Sequence, residues 1–317
     1  MKPRLALVGG RGYAGAELLG LLARHPGLDL AFACSSSQAG QALRTVCPDW
    51  PDPGAKFQSV EVDALNHHPA EAWVLAVPNG TARGWAEAIS AAHPESVIVD
   101  LSADHRFADY WVYGLPELNR PQLVGAQHIA NPGCYATAGM LALWPLRDLL
   151  QGPPSLFGVS GYSGAGRTPS PRNDPEVLRD NIVPYSLAGH MHEREVSHHL
   201  GTDVRFMPHV AAFFRGISMT VSATLQRPTS ASELLQRYQA QYAGEPRLHV
   251  GPDIPLPRQA AHSPDAWLGG FTVDARDARR VTLVSVLDNL GKGAASQAMQ
   301  NLNLALGLDE QAGLEHD

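Results

Sequence analysis

A glycine-rich turn near the N-terminus constrains the fold of this 317-residue chain more than any other feature. Residues 4–8, RLALV, form an apolar run of strand length, and Gly9, Gly12 and Gly15 follow at regular intervals. A helical apolar pattern then runs to Pro26. In such a strand–turn–helix unit, glycines let the backbone approach a pyrophosphate closely and the helix N-terminus supplies N–H groups. The spacing is a variant of G-x-G-x-x-G, and it predicts a dinucleotide-binding α/β domain.

The alternation of strand and helix patterns continues beyond this turn. Apolar runs at 28–34, 72–78 and 96–102 indicate further strands, and residues 79–93 indicate a helix between the last two. Strands and helices in this order form a mostly parallel sheet with helices on its faces. The sequence therefore predicts a Rossmann-type parallel sheet domain.

The pattern changes in the second half of the chain. The runs LFGVSGYSG, VRFMPHVAA, RGISMTVSATLQ and RRVTLVSVLDNL alternate in polarity or are rich in β-branched residues, which indicates strands. They predict a second, α+β domain with a mixed or antiparallel sheet. A final helical pattern begins near residue 294. The predicted fold class is therefore α/β, with a Rossmann-type domain and a second α+β domain.

The composition excludes several functional classes. The formal net charge is −7 and no run of basic residues occurs, which argues against nucleic acid as a partner because phosphate backbones recruit clustered Lys and Arg. No apolar stretch reaches the roughly 18 residues that a membrane span needs. The N-terminus also lacks the long apolar core and cleavage site of a signal peptide. We therefore expect a cytoplasmic protein that has no membrane partner.

One of the three cysteines has the context of a nucleophile. With no CxxC pair in the chain, neither a disulfide framework nor a metal site is expected. Cys34 and Cys47 fit small buried core residues. Cys134 differs because it follows the stiff Asn131-Pro132-Gly133 turn and precedes an apolar helical stretch. The positive end of a helix dipole favours the thiolate, so Cys134 is the candidate nucleophile.

The end of the second predicted strand bears on cofactor preference. A site that prefers NAD usually places Asp or Glu there, where it binds the ribose 2′-hydroxyl. This chain has Ser35, Ser36 and Ser37 instead, and their hydroxyls can donate to a 2′-phosphate. The sequence therefore favours NADP(H) as the cofactor.

The segment around Cys134, ANPGCYATA, resembles the nucleophile segment of the N-acetyl-γ-glutamyl-phosphate reductases, which are similar in fold and chemistry to aspartate-semialdehyde dehydrogenases. The turn GGRGYAGAELL resembles the cofactor loop of that family. Further phrases match it in order: DLSADHRF, YGLPELN, SGYSGAGRTPSPRND, HMHEREVS, FMPHVAAFFRGI and DNLGKGAASQAMQN. The chain departs from the family at two places: Met191 replaces an arginine between two histidines, and Asn79 stands where many members have His.

The resemblance implies the catalytic residues. Cys134 is the nucleophile and His192 the first candidate for the acid/base, with His190 the second and Glu195 orienting one of them. Two residues apart, the histidines share one face on a strand and diverge on a helix, and the sequence leaves that choice open.

The matching segments also imply the ligand contacts. Besides the glycines and serines above, the residues expected to contact the cofactor are Tyr13, Asn79, Ser163, Gly164, Gly166 and Asn289. The residues expected to contact the substrate are Arg106, Asn131, Arg167, Arg172 and Arg215. The planar guanidinium fork suits the phosphate and carboxylate groups of an acyl phosphate.

The resemblance implies an activity and a domain division. The activity is NADPH-dependent reduction of N-acetyl-γ-glutamyl phosphate to N-acetylglutamate 5-semialdehyde and inorganic phosphate through a Cys134 thioester, in arginine biosynthesis. Residues 1–133 plus 294–317 are expected to bind NADP(H), and 134–293 to carry catalysis and oligomerisation in a homodimer or homotetramer. Two alternatives stay open. One is a reductase of aspartyl or carrier-linked aminoadipyl phosphate, and the other is a non-catalytic NADP(H)-binding sensor.

Overall fold

The computed structural model describes residues 2–315, which form two units. Unit 1 contains the chain up to Gly133 and again from Ala294 onward, and unit 2 runs from Cys134 to Gly293. Unit 2 is therefore inserted into the sequence of unit 1.

Unit 1 contains a wholly parallel sheet, as the strand–helix alternation predicts. Its strands are β1 (Arg4–Val8), β2 (Asp29–Cys34), β3 (Ala72–Leu75), β4 (Val97–Asp100), β5 (Val112–Tyr113) and β6 (His128–Ala130). Their order in the sheet is β2-β1-β3-β4-β6-β5, with each neighbouring pair parallel. The third strand ends at Leu75, three residues before the apolar run does, and the chain then leaves the sheet towards Pro78.

Helices cover both faces of this sheet. They are α1 (Tyr13–Ala23), α2 (Ala82–Ala92) and α3 (Pro116–Leu123). The apolar face of α1, which includes Leu18 and Leu22, packs in one cluster with Leu7 of β1. Helix α2 contributes Ile89 to a second cluster around Trp73 of β3. Because successive strand residues point to opposite faces, two separate clusters show that both faces are covered.

Unit 2 contains a mixed sheet, as the second half of the sequence predicts. Its strands are β7 (Ser155–Gly161), β8 (Ile182–Pro184), β9 (Arg205–Ala211), β10 (Ile217–Thr224), β11 (Leu248–Val250), β12 (Ala266–Asp274) and β13 (Asp277–Leu287). Their order is β11-β12-β13-β10-β7-β9-β8, in which the pairs β7–β9 and β11–β12 are parallel and the others antiparallel.

The two faces of the unit 2 sheet differ. The helices of this unit are α4 (Cys134–Leu143), α5 (Pro175–Leu178), α6 (Met191–Leu200), α7 (Ala231–Gln241) and α8 (Pro257–Ala260). Leu156 of β7 is buried against Gly139 of α4, so the alternate residues of each strand form a core under the helices. The residues between them, which point to the other face, stay partly or fully exposed: Phe157, Val159, Met207, Thr220 and Val284.

Unit 2 ends within a π turn, Gly291–Ala295, after which the chain continues in unit 1 as α9 (Ser296–Ala305). Met299 and Leu302 of α9 are fully buried in the same cluster as α1. None of the helices formed by residues 2–315 is long and apolar enough to cross a bilayer.

Candidate functional site

The glycine turn of unit 1 has the tight geometry that a dinucleotide phosphate requires. Gly9 has a φ of +91°, and a Cβ there would lie 2.2 Å from the carbonyl oxygen of Ala76. A Cβ at Gly15 would lie 2.7 Å from the Cα of Gly10, so α1 packs directly on the turn. Gly12 is the N-cap residue of α1 and makes no close contact of this kind. The turn therefore leaves the N-terminal end of α1 accessible to a phosphate group.

The serines after β2 differ in accessibility. Ser35 is buried, and its N–H donates to the carbonyl of Gln58 at 3.0 Å. Ser36 and Ser37 are exposed in a short 3-10 turn, Ser36–Gln38. The two exposed hydroxyls are therefore the better placed to meet a ribose phosphate.

Asn79 lies in the loop that follows β3. Its Oδ1 accepts a hydrogen bond from the N–H of Ala103 at 3.0 Å, and Asp104 accepts from the N–H groups of Gly80 and Ala82. The loops after β3 and β4 are thus tied together at the carboxyl ends of two parallel strands. Ligands of open α/β sheets bind at this edge.

Cys134 is the first residue of α4, as the sequence predicts for a nucleophile. Its side chain is partly accessible, whereas Cys34 and Cys47 are buried. Burial raises the pKa of both the Cys34 and the Cys47 thiol above the usual range. A Cβ at Gly293 would lie 2.7 Å from the Cβ of Cys134, so the backbone of Gly293 forms a wall beside the nucleophile.

Two tyrosines lie close enough to Cys134 for its charge to affect their pKa, and Arg172 lies beside one of them. Burial, with the charge of the Cys134 thiolate adding to it, raises the pKa of Tyr185 to about 12. Burial also raises the pKa of Tyr135, whose hydroxyl donates to the carbonyl of His209 at 2.6 Å. The guanidinium carbon of Arg172 lies 4.9 Å from the centre of the Tyr185 ring, a cation–π distance.

The two candidate histidines lie together at the start of α6. His190 is the N-cap residue, and its Nδ1 accepts a hydrogen bond from the N–H of His192 at 3.1 Å. Their ring centres are 4.9 Å apart, and the ring of His192 lies 5.9 Å from that of Tyr135. The sequence left open whether the two histidine rings lie together. They do, because His190 lies just before the helix and His192 lies in its first turn.

The pKa of His190 lies below its usual value. Burial is the largest cause, and the positive charge of Arg172 adds to it. The carboxylates of Glu193 and Glu195 act in the opposite direction. Glu195 itself is completely buried in α6. His190 is therefore held neutral near pH 7, the state in which its Nδ1 can accept the N–H of His192.

The residues expected to cover the nicotinamide contact one another. Ser163 and Gly164 belong to a 3-10 turn, Tyr162–Ala165, and Gly166 is the C-cap residue that follows it. The Nδ2 of Asn289 donates to the Oγ of Ser163 at 2.9 Å, and its Oδ1 accepts the N–H of Gly216 at 2.7 Å. These bonds connect the ends of β7, β10 and β13.

The predicted substrate arginines fall into two groups. Arg167 and Arg172 are exposed on the loop before α5. Arg106 is buried and donates to the carbonyls of Leu101 and Asn131 at 2.9 and 3.0 Å. Arg106 therefore braces the turn that precedes Cys134.

Arg215 is buried as well, and its Nε donates to the Asp288 carboxylate at 2.5 Å. Asn131 accepts from the Nδ2 of Asn301 in α9 at 3.0 Å, and its own Nδ2 donates to the carbonyl of Ala294. The arginines of the exposed loop are thus better placed than Arg106 and Arg215 to meet a ligand.

Sequence reasoning missed Tyr135, Tyr185 and Asp288. Tyr135 directly follows the nucleophile within the matching segment, which was a usable signal. Tyr185 lies between two matching phrases, and only the fold brings it near Cys134. Within residues 2–315, no group of His, Cys, Asp and Glu side chains is arranged to hold a metal ion.

Comparison with known proteins gives consistent matches over nearly the whole chain. Residues 4–126 match the NAD binding domain of semialdehyde dehydrogenases, and residues 134–289 match the dimerisation domain of the same enzymes. The chain is 51% identical over 312 residues to a Stenotrophomonas maltophilia protein named N-acetyl-gamma-glutamyl-phosphate reductase, and the match covers 98% of each chain. A Xanthomonas campestris protein of the same name is 50% identical over 306 residues, 96% of each chain.

Solved structures of related fold are also known. The aspartate semialdehyde dehydrogenase II of Vibrio cholerae, complexed with ASA, matches with a TM-score of 0.78 at 18% identity, over 97% of this chain and 99% of that chain. At this identity the likeness bears on the fold.

Proposed function

The chain belongs to the N-acetyl-γ-glutamyl-phosphate reductase family of the semialdehyde dehydrogenases, and on that premise we propose how its own residues carry out an NADPH-dependent reduction of N-acetyl-γ-glutamyl phosphate. The products are N-acetylglutamate 5-semialdehyde, NADP⁺ and inorganic phosphate. This reaction belongs to arginine biosynthesis.

The position of Cys134 is the observation that carries the proposal. It is the partly accessible cysteine of the described chain, and it begins a helix whose next residue, Tyr135, has its ring centre 5.9 Å from that of His192. A helix N-terminus favours thiolate, and a thiolate is both a good nucleophile and a good leaving group. A single residue can therefore form the thioester and later leave as thiolate.

The first half of the reaction forms a thioester. The Cys134 sulfur attacks the γ-carbonyl carbon, a C–S bond forms, and the C–O bond to phosphate breaks. Inorganic phosphate leaves with the bonding electron pair. The exposed guanidinium groups of Arg167 and Arg172 bind the anionic ends of the substrate, for which their planar donor fork is suited.

The second half releases the aldehyde. Bound NADPH supplies the hydride that reduces the thioester carbonyl. His192 gives a proton to the developing oxyanion, and then removes it as the C–S bond breaks and Cys134 departs as thiolate. His190 holds His192 through the hydrogen bond from the His192 N–H, so it acts here as a positioning residue.

The residues of unit 1 fit NADP(H). The backbone of Gly9 turns where a side chain would collide with the carbonyl of Ala76, and Gly12 leaves the start of α1 open. The exposed hydroxyls of Ser36 and Ser37 would bind a 2′-phosphate, and no carboxylate stands among these serines to repel it. Asn79, Ser163, Gly164, Gly166 and Asn289 are proposed to complete the binding of the nicotinamide part.

We propose that a second copy of this chain covers the open face of the unit 2 sheet, the face on which the strand residues stay partly or fully exposed. Phe157, Met207 and Val284 give this face an apolar character that water solvates poorly. The match of residues 134–289 to a dimerisation domain supports this assignment. A homodimer, or a homotetramer built from two such dimers, would cover the face.

The reverse reaction tests the proposed function. Purified protein, N-acetylglutamate semialdehyde, phosphate and NADP⁺ are expected to yield NADPH, measured by its absorbance, only when phosphate is present. Aspartate semialdehyde and NAD⁺ serve as the controls for substrate and cofactor. Turnover of aspartate semialdehyde alone would reassign the substrate, and no turnover with either aldehyde despite NADP⁺ binding would indicate a binding protein.

A further inference from the structure

Asp288 is the centre of a buried polar cluster in unit 2. It lies directly after β13 and is completely buried. Its Oδ2 accepts from the Nε of Arg215 at 2.5 Å and from the backbone N–H of His262 at 2.6 Å, and its Oδ1 accepts from the N–H of Leu290 at 2.9 Å. A buried carboxylate with a guanidinium and two N–H donors is well compensated.

His262 contributes to this cluster from a strained backbone. Its φ of +67° lies in the left-handed region, which few residues other than glycine adopt, although Asn, Asp and His are enriched there. Its neighbours explain why it adopts this conformation, because its backbone N–H reaches Asp288 while its side chain turns to Arg215. Strain of this kind persists only where the surroundings hold it, and it is frequent at functional sites.

The contact between His262 and Arg215 has a defined donor and acceptor. The Nη1 of Arg215 and the Nδ1 of His262 are 3.0 Å apart. A guanidinium only donates, so the Nδ1 of His262 is the acceptor in this contact. The side chain of His262, an exposed residue, thus contacts the same guanidinium that binds Asp288.

The cluster is connected to the nucleophile through one short segment. The backbone carbonyl of Asp288 accepts the N–H of Gly293 at 2.8 Å. Gly293 in turn lies so close to Cys134 that a Cβ on it would be 2.7 Å from the Cys134 Cβ. A movement of Asp288 would therefore shift the backbone that lies beside the thiol.

We infer that His262 is a positioning residue for Cys134, acting through Arg215 and Asp288. This inference rests on the proposed function, and it assigns Arg215 to the support of the nucleophile instead of to the substrate anion. The imidazole Nδ1 keeps the Arg215–Asp288 pair in one geometry, and that geometry holds Gly293 against the start of α4.

Two substitutions separate the side chain of His262 from its backbone. His262→Gly keeps the N–H to Asp288 and accepts the positive φ without strain, but it removes the acceptor for Arg215. His262→Asn also tolerates this φ, and its Oδ1 stands the same number of bonds from Cβ as the His262 Nδ1. We expect H262G to lower kcat about tenfold or more, with KM and Tm close to wild type, because a small misplacement of a reacting group has an effect of this order. H262N is expected to recover most of the kcat.

The outcomes distinguish this inference from the proposed function. A rise in KM at unchanged kcat for H262G would show that the cluster binds substrate, and equal loss in H262G and H262N would show that the acceptor is irrelevant. Either result overturns the inference, as does wild-type activity in H262G. If the wild-type protein itself lacks turnover, the rate of Cys134 alkylation replaces kcat, and the inference requires that rate to change in H262G and to match wild type in H262N.

Discussion

The three cysteines show how local surroundings divide one residue type into different chemistries. Cys34 ends β2, an edge strand of the parallel sheet, and Cys47 lies in a loop; both are buried, and loss of hydration disfavours the thiolate of each. Cys134 begins α4, where the peptide dipoles point their positive end at the sulfur. The thiolate is the reactive form, so the three should differ in rate and not only in accessibility.

We therefore expect iodoacetamide at neutral pH to modify Cys134 first. The rate constant should exceed those of Cys34 and Cys47 by an order of magnitude or more, because both burial and a raised pKa slow the other two. Peptide mass mapping over a time course measures the three rates in one sample. NADPH oxidation should fall in step with Cys134 modification, and activity that survived full modification of Cys134 would exclude the thioester route.

Helix α6 combines a structural and a chemical task at its first turn. His190 caps the helix through its side chain, and this cap also fixes the backbone of His192. A cap accepts a hydrogen bond only while the imidazole nitrogen is unprotonated. The lowered pKa of His190, caused mainly by burial, therefore serves the helix as well as the site.

His190→Ala and His190→Asn separate these two tasks. The alanine variant loses the cap and is expected to lower the free energy of unfolding by about 1 kcal/mol, whereas asparagine is a good cap and should lower it little. Because the folded pKa of His190 is depressed, its contribution to stability is present above the unfolded value of about 6.5 and is lost as the pH falls through the folded pKa. The wild-type advantage over H190A should thus shrink between pH 7.5 and pH 5.5 in urea titrations. An advantage that grew on acidification would contradict the assignment.

The strands and helices differ in how far the sequence predicted them. Strands β1 to β4 of the parallel sheet were predicted because a buried strand is a local apolar run. The short strands β5 and β6, of two and three residues, were not predicted because they are too short to form such a run. Strand β12 was missed, since Gly269 and Gly270 interrupt its apolar run and the ladder shifts register there. The mutual bonds of Ser163 and Asn289, and the approach of Tyr185 to Cys134, join residues that are far apart in sequence. Such contacts follow from the packing of elements, which no local pattern contains.

At the scale of the whole molecule, the open face of the unit 2 sheet is the feature that calls for a partner. We expect Phe157→Lys to weaken self-association, because the side chain is 42% exposed on that face and a charge there would have to be desolvated. Val124→Lys is the matched control, since Val124 is 61% exposed in unit 1. Light scattering after size exclusion gives the mass of both variants. Loss of the oligomer in V124K and its retention in F157K would place the interface elsewhere.

The insertion of unit 2 within unit 1 also bears on how the chain matures on the ribosome. Met299 and Leu302 of α9 fill the same core as β1 and α1, yet they are synthesised after every residue of unit 2. The nascent first unit therefore leaves the exit tunnel with one face of its core incomplete, while unit 2 is contiguous and has all its strands before α9 emerges. Domains generally fold as units during synthesis, so the inserted unit can mature first and the segment translated earliest is completed last.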